Sequence, residues 1–120
     1  MVLKGLTEEL SEPDRLYFEE WGRKRGAADV ISSFVEASRQ GGAGTVVEYR
    51  LLGQPWGFSL EEVSVPVDIW HGENDLNVPI HHAEDMEARL PHAKLHRLKN
   101  TGHVSIQGHY GPMLDTLLPE

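Results

Sequence analysis

A β-branched run and a second short strand, separated by one helix-sized segment, constrain this chain more than any other feature. Val65-Pro66-Val67-Asp68-Ile69-Trp70 stops at His71-Gly72, which predicts a strand. Pro66 near its start implies that the first backbone N–H is not needed by a neighbour. Pro79 opens a helix through about Leu90, with Ile80, Ala83, Met86 and Leu90 on its buried side, and Pro91 ends it. Ala93 to Leu98 forms the second strand, followed by the turn Asn100-Thr101-Gly102. A final helix runs through Met113, Leu114, Leu117 and Leu118, made irregular in its first half by Gly108, Gly111 and Pro112. Strand, helix, strand, helix is the rhythm of a parallel sheet. Two strands alone make a poor sheet, since independent stability generally needs a third strand or substantial helix cover.

The first half has a different character. Ser11 to Arg25 predicts a helix in which Ser11 is the cap, Asp14 holds the capping-box position and Pro13 falls in the tolerant first turn. Ala27 to Gln40 predicts a second helix, with Ala27, Ile31, Phe34, Val35 and Ser38 on one stripe and Gly41-Gly42 at its end. Thr45 to Leu52 forms a shorter third. The change comes at Gln54-Pro55-Trp56-Gly57. The expected organisation is therefore a helical segment, residues 1–53, followed by a short parallel β-α-β-α segment, residues 54–120.

Composition narrows the function classes. A chain of 120 residues is one domain or a piece of a larger one. It holds no apolar run approaching the roughly 18 residues that span a bilayer, and Met1 to Gly5 is too short to be a signal peptide. Without Cys there is no disulfide framework, thiol nucleophile or thiolate metal site, and a reducing cytoplasm is the default compartment. The net charge of -8 argues against nucleic acid, whose binding relies on Lys and Arg. Acids exceed bases by ten to four in residues 61–120 and by nine to seven in residues 1–60, so the excess lies beside the candidate site. Arg23-Lys24-Arg25, the one basic run, reads as a solvated helix end.

Asp75 follows the first strand after a short turn, and His103 follows the second after Thr101-Gly102. In a parallel sheet both emerge at the carboxyl edge, where open α/β folds carry their sites. Neighbouring strands lie about 4.8 Å apart, so the two loops can bring a carboxylate and an imidazole into hydrogen-bond reach. A carboxylate on one ring nitrogen fixes the tautomer and leaves the other nitrogen as general base.

The segment Val65 to Pro79, with its His-Gly-x-x-Asp-x-x-x-Pro pattern, resembles the strand-plus-acid segment of the α/β-hydrolase superfamily. Leu90-Pro91-His92-Ala93-Lys94-Leu95-His96 through Gly102-His103 is similar to that superfamily's last strand and histidine loop. Trp56-Gly57-Phe58 with Leu60 resembles the lead-in to those strands. Residues 1–52 resemble the inserted helical cap by position and helicity. The resemblance implies a partial α/β-hydrolase fold, Asp75 as triad acid, His103 as general base, and ester or acyl hydrolysis. It departs from the family at the nucleophile: no Gly-x-Ser-x-Gly elbow occurs in the sequence, and Gly57-Phe58-Ser59-Leu60-Glu61 is the nearest approach. The implied partner is a complementary nucleophile-bearing half or further copies of this chain, with a small-molecule substrate and neither membrane nor nucleic acid. The alternative is a non-catalytic oligomeric or partner-binding module with a vestigial acid and base.

The remaining candidates read as structural. Asp68, inside a strand, is expected to be an edge or structural residue. His81-His82 and the pair His92 and His96 lack metal-ligand spacing, so neither a metal nor another cofactor is expected. Tyr17, Phe18 and Trp21 are expected to pack the first helix.

Overall fold

The computed structural model describes residues 9–118, apart from the side chains of Ala27, Val30, Ser33 and Phe34. Met1 to Gly5 therefore lie outside the described residues. The chain divides into two compact units. The described part of one comprises residues 9–19 and 60–118 and carries the sheet; the other is Glu20–Ser59.

In the sheet-bearing unit, β1 (Val67–Gly72) pairs in parallel with β2 (Ala93–Leu98), from Val67 opposite Ala93 to Gly72 opposite Leu98. The fold is mixed α/β with a two-stranded parallel sheet. β1 begins two residues later than expected and includes His71 and Gly72, which the sequence marks as its end. Pro66 has no N–H to give, and the ladder starts where Val67 N–H donates to His92 O at 3.0 Å. Gly72 serves a close approach to another segment rather than a turn.

The crossover helix α4 (His81–Arg89) covers one face of the sheet. Its Glu84 carboxylate pairs with Arg97 at 2.7 Å. The helix ends at Leu90, whose backbone is extended, because the residue before a proline is pushed out of the helical region. Ala83, Leu90 and Leu60 are the buried apolar residues among those described. Leu60 comes from a 3₁₀ turn, Leu60–Glu62, whose Glu61 pairs with Arg89 at 2.9 Å. The core thus lies between α4, this turn and the sheet. On the outer edge of β2, the Glu87 carboxylate accepts Leu95 N–H at 2.7 Å.

Beyond β2, the chain makes a 3₁₀ helix, Ser105–His109, and then α5 (Tyr110–Asp115). Leu117 and Leu118 lie past the helix, in a turn closed by Leu117 N–H on Leu114 O, and both are exposed. The expected last helix is accordingly shorter, with Gly108 and Gly111 weakening its first half.

α1 (Glu12–Arg25) begins in the sheet-bearing unit. In Glu20–Ser59, its end is exposed at Arg23-Lys24-Arg25, with Lys24 on Glu20 at 2.8 Å and Arg25 over the Trp21 ring at 5.5 Å. α2 (Ala27–Ala37) and α3 (Ala43–Leu52) follow. α2 stops three residues before Gln40, and Gly41 carries the positive φ of 70° that follows it. Of the expected stripe, Ile31 and Val35 are exposed and the side chains of Ala27 and Phe34 lie outside the described residues. Val46, Val47, Leu51 and Leu52 on α3 are exposed too. Among the described residues, no helix is long and apolar enough to cross a membrane.

Candidate functional site

The two strands finish level with each other, and the ladder continues into their loops. Glu73 N–H donates to Leu98 O and Asn74 N–H to Thr101 O, both at 2.9 Å. This draws the second loop across the end of β1. A Cβ on Gly72 would collide with Thr101 O, so the contact requires glycine. Asn100 turns the loop in the left-handed region, with φ 51°, which Asn tolerates better than most residues. Thr101 is buried; its hydroxyl donates to Lys99 O at 3.0 Å.

Asp75 stands in the first loop with a side chain only 8% exposed. Its Oδ1 accepts Asn77 N–H and Val78 N–H, each at 2.9 Å. Its Oδ2 lies 3.0 Å from His103 Nδ1. His71 closes the same loop from the strand: Nε2–H donates to Val78 O at 2.9 Å and stands 4.0 Å from Asp75 Oδ2. Burial works to raise the Asp75 pKa. The Val78 N–H, the His103 ring and the Asn77 N–H outweigh it and hold the carboxyl below its ordinary value.

His103 is 45% exposed on its side chain, and its backbone is held from α1. Asp14, 2% exposed, accepts His103 N–H on Oδ2 and both Val104 N–H and Ser105 N–H on Oδ1, at 2.8 to 2.9 Å. Ser11 Oγ–H donates to the same Oδ2 at 2.9 Å. The Asp14 carboxylate thus keeps one bond at the start of its own helix, from Ser11, and gives the rest to a loop 89 residues away. Burial opposes its ionisation, but the bonds from Ser105, Ser11 and Val104 hold its pKa below the ordinary value. A Cβ on Gly102 would collide with Asp14 and Ser11, so this loop too needs its glycine.

A second carboxylate and imidazole meet in mid-sheet. Asp68 Oδ1 is 2.5 Å from His96 Nε2, and the His96 ring stacks on Trp70 at 4.0 Å. These residues share the face opposite the Glu84–Arg97 pair, away from the strand ends. Ser59 belongs to the other unit. Among the described residues, no group of three or more His, Cys, Asp or Glu could hold a metal ion.

Both residues singled out from sequence, Asp75 and His103, are thus side by side at the carboxyl ends of adjacent parallel strands. With the carboxylate on Nδ1–H, the ring is in the tautomer whose Nε2 can take a proton. Sequence reasoning missed Asp14 and His71 as parts of this arrangement. His71 had a signal, since it opens the His-Gly-x-x-Asp pattern. Asp14 had none beyond helix capping.

Against known proteins, the chain is 30% identical over 90 residues to a pimeloyl-[acyl-carrier protein] methyl ester esterase of Aromatoleum aromaticum (strain DSM 19018 / LMG 30748 / EbN1). The match covers 72% of this chain and 36% of that esterase, so the chain spans about a third of the relative's length. No family model matches, and no solved structure does.

Proposed function

We propose that this chain supplies the acid and the general base of a serine-type α/β-hydrolase acting on an ester or acyl bond. The reading rests on one observation above others: His103 Nδ1 and Asp75 Oδ2 lie 3.0 Å apart at the ends of parallel strands. Asp75 keeps the ring in the Nδ1–H tautomer and stabilises the imidazolium. Nε2 takes the proton of a serine hydroxyl as the oxygen attacks the carbonyl carbon, then gives it to the departing alcohol. A water deprotonated at the same nitrogen releases the acid and restores the serine.

The serine and its oxyanion donors come from a segment other than these 120 residues, which contain no Gly-x-Ser-x-Gly. That segment continues the sheet on the free side of β1, making the two strands part of an α/β-hydrolase sheet. Likeness to a methyl ester esterase supports ester hydrolysis as the reaction class.

The test is a hybrid. The part of the Aromatoleum esterase that aligns with this chain is replaced by this chain, and hydrolysis of an activated aryl ester is measured. The expected result is turnover that disappears in His103→Ala and falls steeply in Asp75→Asn. A folded hybrid without turnover, or one indifferent to both substitutions, overturns the reading.

A further inference from the structure

We propose that Asp14 is a positioning residue for the base, a buried carboxylate that fixes the backbone of His103 so that its ring meets Asp75. The inference rests on the acid–base reading above and deepens it.

Three consecutive N–H groups, those of His103, Val104 and Ser105, converge on one side chain. Such convergence sets the orientation of the peptide planes on both sides of His103 Cα and hence the direction in which its side chain leaves. Bonds to an ionised acceptor are shorter and stronger than neutral ones, so a carboxylate holds the loop more firmly than an amide or a water would.

The carboxylate is itself held. Ser11 Oγ–H fixes Oδ2, and Gly102 packs against both side chains at a distance that admits no Cβ. From the far side, Ser105 Oγ accepts Gly102 N–H at 2.7 Å. Residues 102–105 are thereby tied to the first turn of α1. Two carboxylates divide the work: Asp14 on the backbone of His103, and Asp75 on its ring.

The side chain's position on α1 adds weight. At the third residue after Ser11 it stands where a capping box would use it, yet three of the four bonds its oxygens accept come from the histidine loop. A role confined to holding α1 together would not need three bonds from residues 103–105.

The experiment reads the tautomer of His103 in the intact chain by long-range ¹H–¹⁵N NMR of the imidazole at a pH where the ring is neutral. The wild type is expected in the Nδ1–H form, with a downfield proton on the nitrogen facing Asp75. Asp14→Asn keeps the shape of the side chain but turns an amide donor toward N–H donors. It is expected to convert His103 to a mixture dominated by the Nε2–H form while the amide signals of Val67–Gly72 and Ala93–Leu98 stay in place. A folded Asp14→Asn protein with the wild-type ring spectrum overturns the proposal, because a purely structural role changes stability and leaves the tautomer alone. If Asp14→Asn does not fold, Ser11→Ala decides. A partial move toward Nε2–H supports the proposal; shifted amides at 103–105 with an unchanged ring overturn it. Asp75→Asn separates the two levels. If it leaves the His103 ring unchanged, the acid–base reading falls. If it changes the ring and Asp14→Asn does not, only the positioning role falls.

Discussion

His71 and Val78 close the loop that carries Asp75: the imidazole near the end of β1 donates Nε2–H to the Val78 carbonyl at 2.9 Å. Seven residues are spanned by that bond, and the two N–H groups that hold Asp75 Oδ1 come from its far end. Replacing His71 by Phe keeps the ring and removes the donor. Val78 is exposed, so water can take the donor's place at its carbonyl, and urea denaturation should show a loss near the net worth of one hydrogen bond, about 0.5–1.5 kcal/mol. Amide exchange at Asn77 and Val78 should quicken more than at Leu95. Equal quickening everywhere would mean that His71 has no special hold on the loop.

Gly72→Ala should be more damaging than its size indicates. The added methyl meets backbone at Thr101, which has no rotamer to retreat into, and overpacking of this kind costs about 1–3 kcal/mol. Gly111, with nothing near its Cβ position, is the control: Gly111→Ala should be neutral or mildly stabilising, as a helical Gly→Ala exchange usually is. Comparable urea midpoints for the two variants would contradict the close approach.

Acid should loosen the site. Asp14 and Asp75 both have folded pKa values depressed from the ordinary carboxylate range. As pH falls, the unfolded chain then binds protons before the native state does. Their stabilisation is complete above about pH 4, the ordinary range, and is lost as pH falls through the lower folded values. Asp14→Asn and Asp75→Asn should each be less stable than wild type at neutral pH and lose less on acidification. Urea midpoints from about pH 7 down to about pH 3 measure both slopes. Parallel slopes for the variants and wild type would remove these two carboxylates from the acid transition.

The 120-residue chain by itself should show negligible esterase activity. Loss of the serine from a triad costs on the order of a millionfold, and the chain carries no nucleophile elbow. Single-turnover mixing with an activated aryl ester, followed by mass spectrometry, makes the check. A stoichiometric burst with an acyl group on a serine would reveal a nucleophile within these residues.

What was legible in the sequence was what neighbouring residues decide. The second strand, Ala93–Leu98, has its expected bounds because the residues that bracket it, Pro91 and Asn100, act locally. The nearness of Asp75 and His103 followed from two strands of one parallel sheet ending together. Asp14 escaped because its partners lie 89 to 91 residues away, and no residue near it in the chain signals that its carboxylate is engaged at such a distance. Gly72 looked like a stop because its reason, the Thr101 carbonyl, sits on another strand's loop. The Asp68–His96 pair needed the register that places Trp70 opposite His96.

The Glu87 side chain reaching over to Leu95 N–H has a consequence for assembly. It occupies a donor that an incoming strand would need, midway along the outer side of β2, and a carboxylate there repels the carbonyl such a strand would bring. Pairing of a further strand there is opposed at its middle. A strand added along β1 instead would lie beside Asp68, Trp70 and the start of the acid loop. Among the described residues, the edge without such a guard is the one that adjoins the site.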